Sequence, residues 1–371
     1  MVKRNILLTP GPATTSDRVK YAQVVPDICP REAEFGQLMA WICIELTRLV
    51  GDPKPIATIL FGGSGTAAVE SILSSVVDEG TLLIVNNGAY GKRMCEIADA
   101  YGLDFQIFNS SPEKGIDLNA LEKRINHSSR TITHLAVVHH ETTTGLLNDI
   151  ESIGQICRKH QIELIVDAIS SFAAIPIQMR SMNISFLAAS SNKNLQGMAG
   201  LAFVIADRSK LERIRHHHPR NYYLNLYKQY QFFSQTSQMR FTPPVQTLYA
   251  LKQAIMELKQ EGVVSRYRRY VKSWETLTKG IARLGFNHIV PEKHHSKLIT
   301  AIREPDCSRY DFNRMHDYFY SRGYTVYPGK LEQLKTFRIA NIGEIDHKDI
   351  EAFLSLFERY LHSIGYVSKG E

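Results

Sequence analysis

Residues 61–85 read FGGSGTAAVESILSSVVDEGTLLIV, and two periods follow one another within them. Val69, Ile72, Leu73 and Val76 recur at i, i+3, i+4 and i+7, which lines one helix face, and Leu82-Leu83-Ile84-Val85 is an unbroken apolar run of strand length. A strand that is apolar throughout is covered on both faces, so helices are expected on either side of its sheet. The alternation continues outward from about residue 57 to 206, with strands predicted at 134–138, 163–167, 186–189 and 201–206. This segment is predicted to be an α/β domain around a buried, mostly parallel sheet. After Arg240-Phe241-Thr242-Pro243-Pro244 the texture changes. A long helical stretch runs from Val245 through the charged segment 261–272, followed by a strand at 298–302, a helix at 310–322, a strand at 325–327 and a closing helix at 347–362. That mix points to a smaller α+β domain.

The length of 371 residues leaves room for two domains, and 44% hydrophobic with 22% charged residues excludes a disordered or collagen-like chain. The net charge of +7 is small for the length. It does not by itself argue for nucleic acid and suits a small anionic substrate equally well. The five cysteines, at 29, 43, 95, 157 and 307, are odd in number and form no CxxC pair, so neither a disulfide framework nor a zinc site is expected. A reducing cytoplasm is the simplest compartment. Near the amino terminus the apolar stretch before Thr9 is only three residues, Ile6 to Leu8, too short for a signal peptide, and no run approaches the roughly 18 apolar residues of a membrane span.

Three strand ends carry candidate chemistry. The segment Gly62-Gly63-Ser64-Gly65-Thr66 opens the helix above; its small residues and free N–H groups suit a phosphate, and equally a turn with an N-cap. It is neither a Walker loop nor GxGxxG. Asp167 ends an apolar run, where open α/β sheets place ligands, or else caps a loop. Lys193, in Ser190-Ser191-Asn192-Lys193, follows another such run and could also be a solvated surface residue. Together the three match what pyridoxal phosphate needs: a helix start for the phosphate, a carboxylate for the pyridine nitrogen, and a lysine amine for the aldehyde.

At this point the chain resembles the fold type I, class V aminotransferases, nearly end to end. The matching segments are LLTPGPATTS (7–16), CPREAEFG (29–36), FGGSGTAAVE (61–70), NNGAYGKR (86–93), HHETTTG (139–145), VDAISSF (166–172), SSNKNLQG (190–197), RFTPPVQT (240–247), and YPGK with FRIANIG between 327 and 343. The resemblance implies a large domain over 16–260 with a mostly parallel sheet of the seven-stranded type, and a smaller α+β domain from 1–15 and 261–371. It implies pyridoxal 5′-phosphate bound covalently to Lys193, with Asp167 on the ring nitrogen, Tyr90 against the ring and Thr142 donating to the phenolate oxygen. Ser64, Gly65 and Thr66 would hold the phosphate, Asn192 would flank the lysine, and Thr242 would reach the phosphate of a neighbouring subunit in a homodimer. Arg338 would bind the substrate anion. No metal, nucleic acid or membrane is implied. CPRE, the segment 221–227 (NYYLNLY) and YPGK are similar to the branch that uses 2-aminoethylphosphonate as donor and pyruvate as acceptor. Alanine:glyoxylate and serine:pyruvate aminotransferases share the Lys, Asp and Arg positions, and a cofactor-binding module without turnover is the reading outside enzymes.

Two further features carry bland expectations. His216-His217-His218 cannot share one helix face and reads as a solvated basic turn. Arg266-Tyr267-Arg268-Arg269-Tyr270 reads as an exposed helix face.

Overall fold

The unbroken apolar runs pair into one sheet. In the computed structural model, which describes residues 4–329, 331 and 334–366, its strands are β1 (Ile56–Gly62), β2 (Thr81–Asn86), β3 (Phe105–Asn109), β4 (Ile132–Val138), β5 (Glu163–Asp167), β6 (Ile184–Ser190) and β7 (Leu201–Asp207). Their order is β1-β7-β6-β5-β4-β2-β3. Only β7 is reversed, antiparallel to both β1 and β6, while the other four pairings are parallel. The expected seven-stranded, mostly parallel sheet is what the chain forms. β1 and β3 were not predicted: β1 ends in glycines that read as a turn, and β3 is an edge strand of half-buried and exposed residues.

Successive side chains of one strand serve two cores. Leu83, Val85, Leu135, Val137 and Val166 pack on one face against residues such as Phe35 and Leu46. Leu82, Ile84, Ala136 and Ile165 pack on the other against helix α1 (Gly65–Val76), through Ile72 and Leu73, and helix α2 (Ala89–Ala100), through Met94. Full burial of each of these Leu, Ile and Val side chains contributes about 1.5–3 kcal/mol.

The helical stretch after Val245 is two helices, α3 (Val245–Glu261) and α4 (Val263–Arg283). Gly262 separates them at φ +81°, with its N–H on Leu258 O at 2.7 Å. A second, antiparallel sheet has the order β8 (Ile299–Arg303), β10 (Thr336–Ala340), β9 (Tyr327–Pro328). Ile6–Leu7 pairs in parallel with Tyr324–Thr325, so the start of the chain lies beside the late elements. The predicted strand at 325–327 is thus shared between two pairings that part at buried Val326. Lys330 of the YPGK segment lies outside the described residues. Among the described residues no helix is long and apolar enough to cross a membrane. The five cysteine thiols are free.

Candidate active site

Because six of the seven strands share a direction, β1, β2, β4, β5 and β6 all end at the same edge of the sheet. Asp167 closes β5, and just beyond the other ends come Ser64 to Thr66, Tyr90, Thr142 and Lys193, so the topology gathers most of the predicted residues where α/β sheets bind ligands.

Asp167 is the buried last residue of β5, and its Oδ1 accepts from Ile169 N at 3.0 Å. Burial pushes its carboxyl up to about 6, and nearby Glu141 adds to the rise, while the Ile169 N–H, Arg93 and Lys193 oppose it. Lys193 lies in the connection from β6 to β7, with Nζ donating to Pro10 O at 2.7 Å. Its side chain occupies the space where a Cβ on Gly11 would stand, and Gly11 has φ +141°. The amino-terminal TPGPAT segment is therefore the lysine's cradle; Ala13 N also donates to Asn192 O at 3.0 Å. The Asn192 side chain accepts from Ser190 Oγ at 3.0 Å. Asn194 Nδ2 donates to Ser170 O and Phe172 O, at 3.1 and 3.3 Å, tying the lysine connection to the segment after Asp167.

The run 266–270 is not the exposed face expected of it. Arg266 is only 2% exposed and Tyr270 is wholly buried. Residues four apart share one helix face, and this face packs on the lysine connection: Arg266 Nη1 donates to Asn194 O at 2.6 Å, and Tyr270 Oη accepts from Gln196 Nε2 at 2.8 Å. Glu261 Oε2 accepts from Arg266 Nε at 2.6 Å, which offsets the burial of the charge. Arg268 alone points fully outward.

Ser64 caps α1 through its backbone and is exposed, while Gly65 is buried against Ile169, where a Cβ would come within 2.7 Å of Cδ1. The first N–H groups of a helix have no intrahelical partners, and the dipole there is positive. Arg93 adds a cation that sequence reasoning passed over. Its Nη1 donates to Thr66 Oγ1 at 3.3 Å and its guanidinium sits 4.8 Å from the Tyr90 ring centroid. The available signal was its position three residues after Tyr90 on α2.

Thr142 stands in the turn of a hairpin between His140–Glu141 and Leu146–Leu147; it is buried and its Oγ1 has no hydrogen-bond partner. Its carbonyl accepts from Arg338 Nη1 at 3.1 Å. Arg338, central in β10 and 2% exposed, also donates from Nε to Pro328 O at 2.9 Å and hydrogen-bonds the Tyr90 side chain. Burial lowers its pKa, while Tyr90 and Glu141 raise it. Glu141 was also passed over, although an acid inside HHETTTG is the kind of residue that needs partners once buried. Burial raises its carboxyl pKa. His140 is held down to about 4, burial being the main cause, so it is neutral; Nδ1 donates to Ser170 O at 3.0 Å and Nε2 accepts from Ser296 Oγ at 2.8 Å.

Thr242 is not brought to this group; its side chain is exposed, next to a Phe241 ring stacked on Tyr223 at 5.0 Å. His216 and His217 border a cavity of about 650 Å³ at the opposite edge of the sheet, beside Glu163, Lys210 and Arg213. Among the described residues no group of three or more His, Cys, Asp or Glu is placed to hold a metal.

A sequence model of the aminotransferase class-V family matches residues 21–314. A Klebsiella pneumoniae protein described as a 2-aminoethylphosphonate–pyruvate transaminase is 39% identical over 98% of this chain and 99% of its own length. A Vibrio vulnificus protein of the same description is 37% identical over 98% and 99%. Among solved structures, an alanine–glyoxylate aminotransferase from Nostoc sp. superposes with a TM-score of 0.90 at 24% identity, covering 97% of this chain and 96% of that one. A ureidoglycine–glyoxylate aminotransferase from Bacillus subtilis also gives 0.90, at 21% identity over 100% and 96%. These two speak for the fold alone.

Proposed function

The chain belongs to the class-V aminotransferases, and from that premise we propose that it moves the amino group of 2-aminoethylphosphonate to pyruvate, giving phosphonoacetaldehyde and L-alanine. The observation that carries this reading is the near end-to-end identity with relatives of that description. An amine-donor panel with pyruvate, including L-serine and a separate alanine plus glyoxylate assay, tests it. 2-Aminoethylphosphonate should give the fastest alanine formation, and preference for another donor would overturn the substrate.

Enzymes of this family use pyridoxal 5′-phosphate. The residues fit it: Thr142 Oγ1 is a buried donor without a partner, Gly65 and Gly11 leave space that a Cβ would fill, and Asp167 is a carboxylate held at a strand end. When bound, the cofactor supplies an aldehyde that condenses with amines and a protonated ring that draws electrons from the amine-bearing carbon.

In this reading Ser64, Gly65 and Thr66 would hold the phosphate at the start of α1, with Arg93 adding positive charge. Asp167 would keep the proton on the ring nitrogen, Thr142 would donate to the phenolate oxygen, and Tyr90 would supply an aromatic face. Asn192, bonded to Ser190, would steady the turn that carries Lys193. Lys193 would hold the cofactor and, once displaced by substrate, take the proton from the amine-bearing carbon at Nζ.

Arg338 would bind both the carboxylate of pyruvate and the phosphonate of the donor, since a planar fork pairs with either. Two backbone carbonyls already fix its orientation. Arg338→Lys is expected to keep the cofactor spectrum while kcat/KM falls for both substrates by about 2 kcal/mol or more. Unchanged kinetics would remove Arg338 from the site; a defect with pyruvate alone would put the phosphonate elsewhere.

The reading includes a homodimer in which exposed Thr242 reaches the partner's phosphate, a cytoplasmic location, and the division into 16–260 and 1–15 with 261–371. The pairing of Ile6–Leu7 with Tyr324–Thr325 supports that division. Mixing an inactive Lys193→Ala chain with an inactive Thr242→Asp chain tests the shared site. A mixed dimer would hold one site with both defects and one with neither, so random exchange should restore about a quarter of wild-type activity. No recovery despite verified exchange would count against sharing.

A further inference from the structure

Glu141 has no place in the chemistry above, yet it is wholly buried at the centre of the residues that perform it. Its Oε2 accepts from the backbone N–H of Tyr90 at 3.1 Å and of Gly91 at 3.3 Å. Its Oε1 accepts from Thr143 N at 3.1 Å and Thr143 Oγ1 at 2.5 Å, while Thr143 Oγ1 in turn accepts from Ala89 N at 3.0 Å. Three successive N–H groups that open α2 are therefore satisfied by a hairpin about fifty residues further along the chain. A helix start needs such partners, and a carboxylate also complements its dipole. Gly88, which precedes α2, has no side chain because a Cβ there would overlap Cγ and Cδ of Glu141.

The contacts close into a circuit. Glu141 fixes the backbone of Tyr90, the Tyr90 side chain bonds Arg338, and Arg338 Nη1 bonds the carbonyl of Thr142, the residue after Glu141.

We propose that Glu141 is a positioning residue that sets Tyr90 and Arg338 against one another, so that the guanidinium meets the substrate anion already aligned. This rests on the reading of Arg338 as the anion-binding residue. The role is orientation of a neighbour, which affects anion binding more than bond breaking.

The test uses the cofactor-loaded protein and methylphosphonate, an anion with no amine to transfer, with its dissociation constant read from the change in cofactor absorbance. Glu141→Gln keeps the size but presents an amide that cannot accept from all four donors. It should weaken methylphosphonate binding about tenfold, and the double variant Glu141→Gln/Arg338→Lys should bind no more weakly than Arg338→Lys alone, because the two act on one interaction. Rescue should be partial in Glu141→Asp, which keeps the charge and shortens the reach, and that variant carries the comparison if melting shows Glu141→Gln unfolded. Additive losses, or wild-type affinity in the glutamine variant beside a weakened Arg338→Lys, would overturn the role of Glu141. Wild-type affinity in Arg338→Lys itself would instead overturn the reading of Arg338, and this inference with it.

Discussion

Lys193→Ala is expected to abolish covalent attachment of the cofactor and to lower kcat by about 10³-fold or more, within the range for loss of a positioned general base and equal to roughly 4 kcal/mol of barrier. Borohydride reduction of the wild-type protein should fix the cofactor on the peptide that contains Lys193. A companion change tests the geometry without touching the amine. Gly11→Ala places a Cβ in the space of the lysine's Cδ, Cε and Nζ and asks an alanine to adopt φ +141°. Attachment should fail there too, with Lys193 intact. A label on another lysine, or normal attachment in both variants, would mean that the nucleophile has been misplaced.

Asp167→Asn should retain cofactor and lose turnover by about 100-fold or more, the usual scale for removing a charge aimed at a developing charge. Without cofactor the same change should stabilise the chain. The buried carboxyl, pushed up to about 6 from its ordinary 3.8, keeps its proton in the folded chain at pH values where the unfolded chain has lost it. The unfolded state binds fewer protons between those two values, so stability falls as pH rises through that window. Above it the full cost is present, on the order of 3 kcal/mol. An amide carries no such cost, so the cofactor-free variant should melt a few degrees above the wild type at neutral pH, and the gap should close at pH values below the window. Near-normal turnover would show that the wrong carboxylate has been chosen; a lower melting temperature at neutral pH would contradict the burial cost.

The sheet was legible because five of its strands carry unbroken apolar runs of three to six residues, and Lys193 and Asp167 because each stands at or shortly after the end of such a run. What stayed hidden depends on contacts between distant segments. Gly11 reads as a turn residue until Lys193, 182 positions later, is seen lying across it. Arg266 and Tyr270 read as surface because the bases and aromatics of 266–270 point in different directions on a helix, and only the packing of α4 on the lysine connection turns this pair inward. Glu141 lies in a polar segment whose burial no local period reveals. β3 escaped because an edge strand need not be apolar on both faces.

Transfer of the amine from a phosphonate donor at this sheet edge can be followed in a single half-reaction. The yellow protein is mixed with 2-aminoethylphosphonate in the absence of pyruvate, and the aldehyde released is measured while the cofactor band is followed. The expected result is about one phosphonoacetaldehyde per chain with loss of the yellow band, then no further release until pyruvate is added and an equal amount of L-alanine forms, as ping-pong exchange requires. Absence of aldehyde and an unchanged band, in protein whose Lys193 carries the cofactor, would contradict the account.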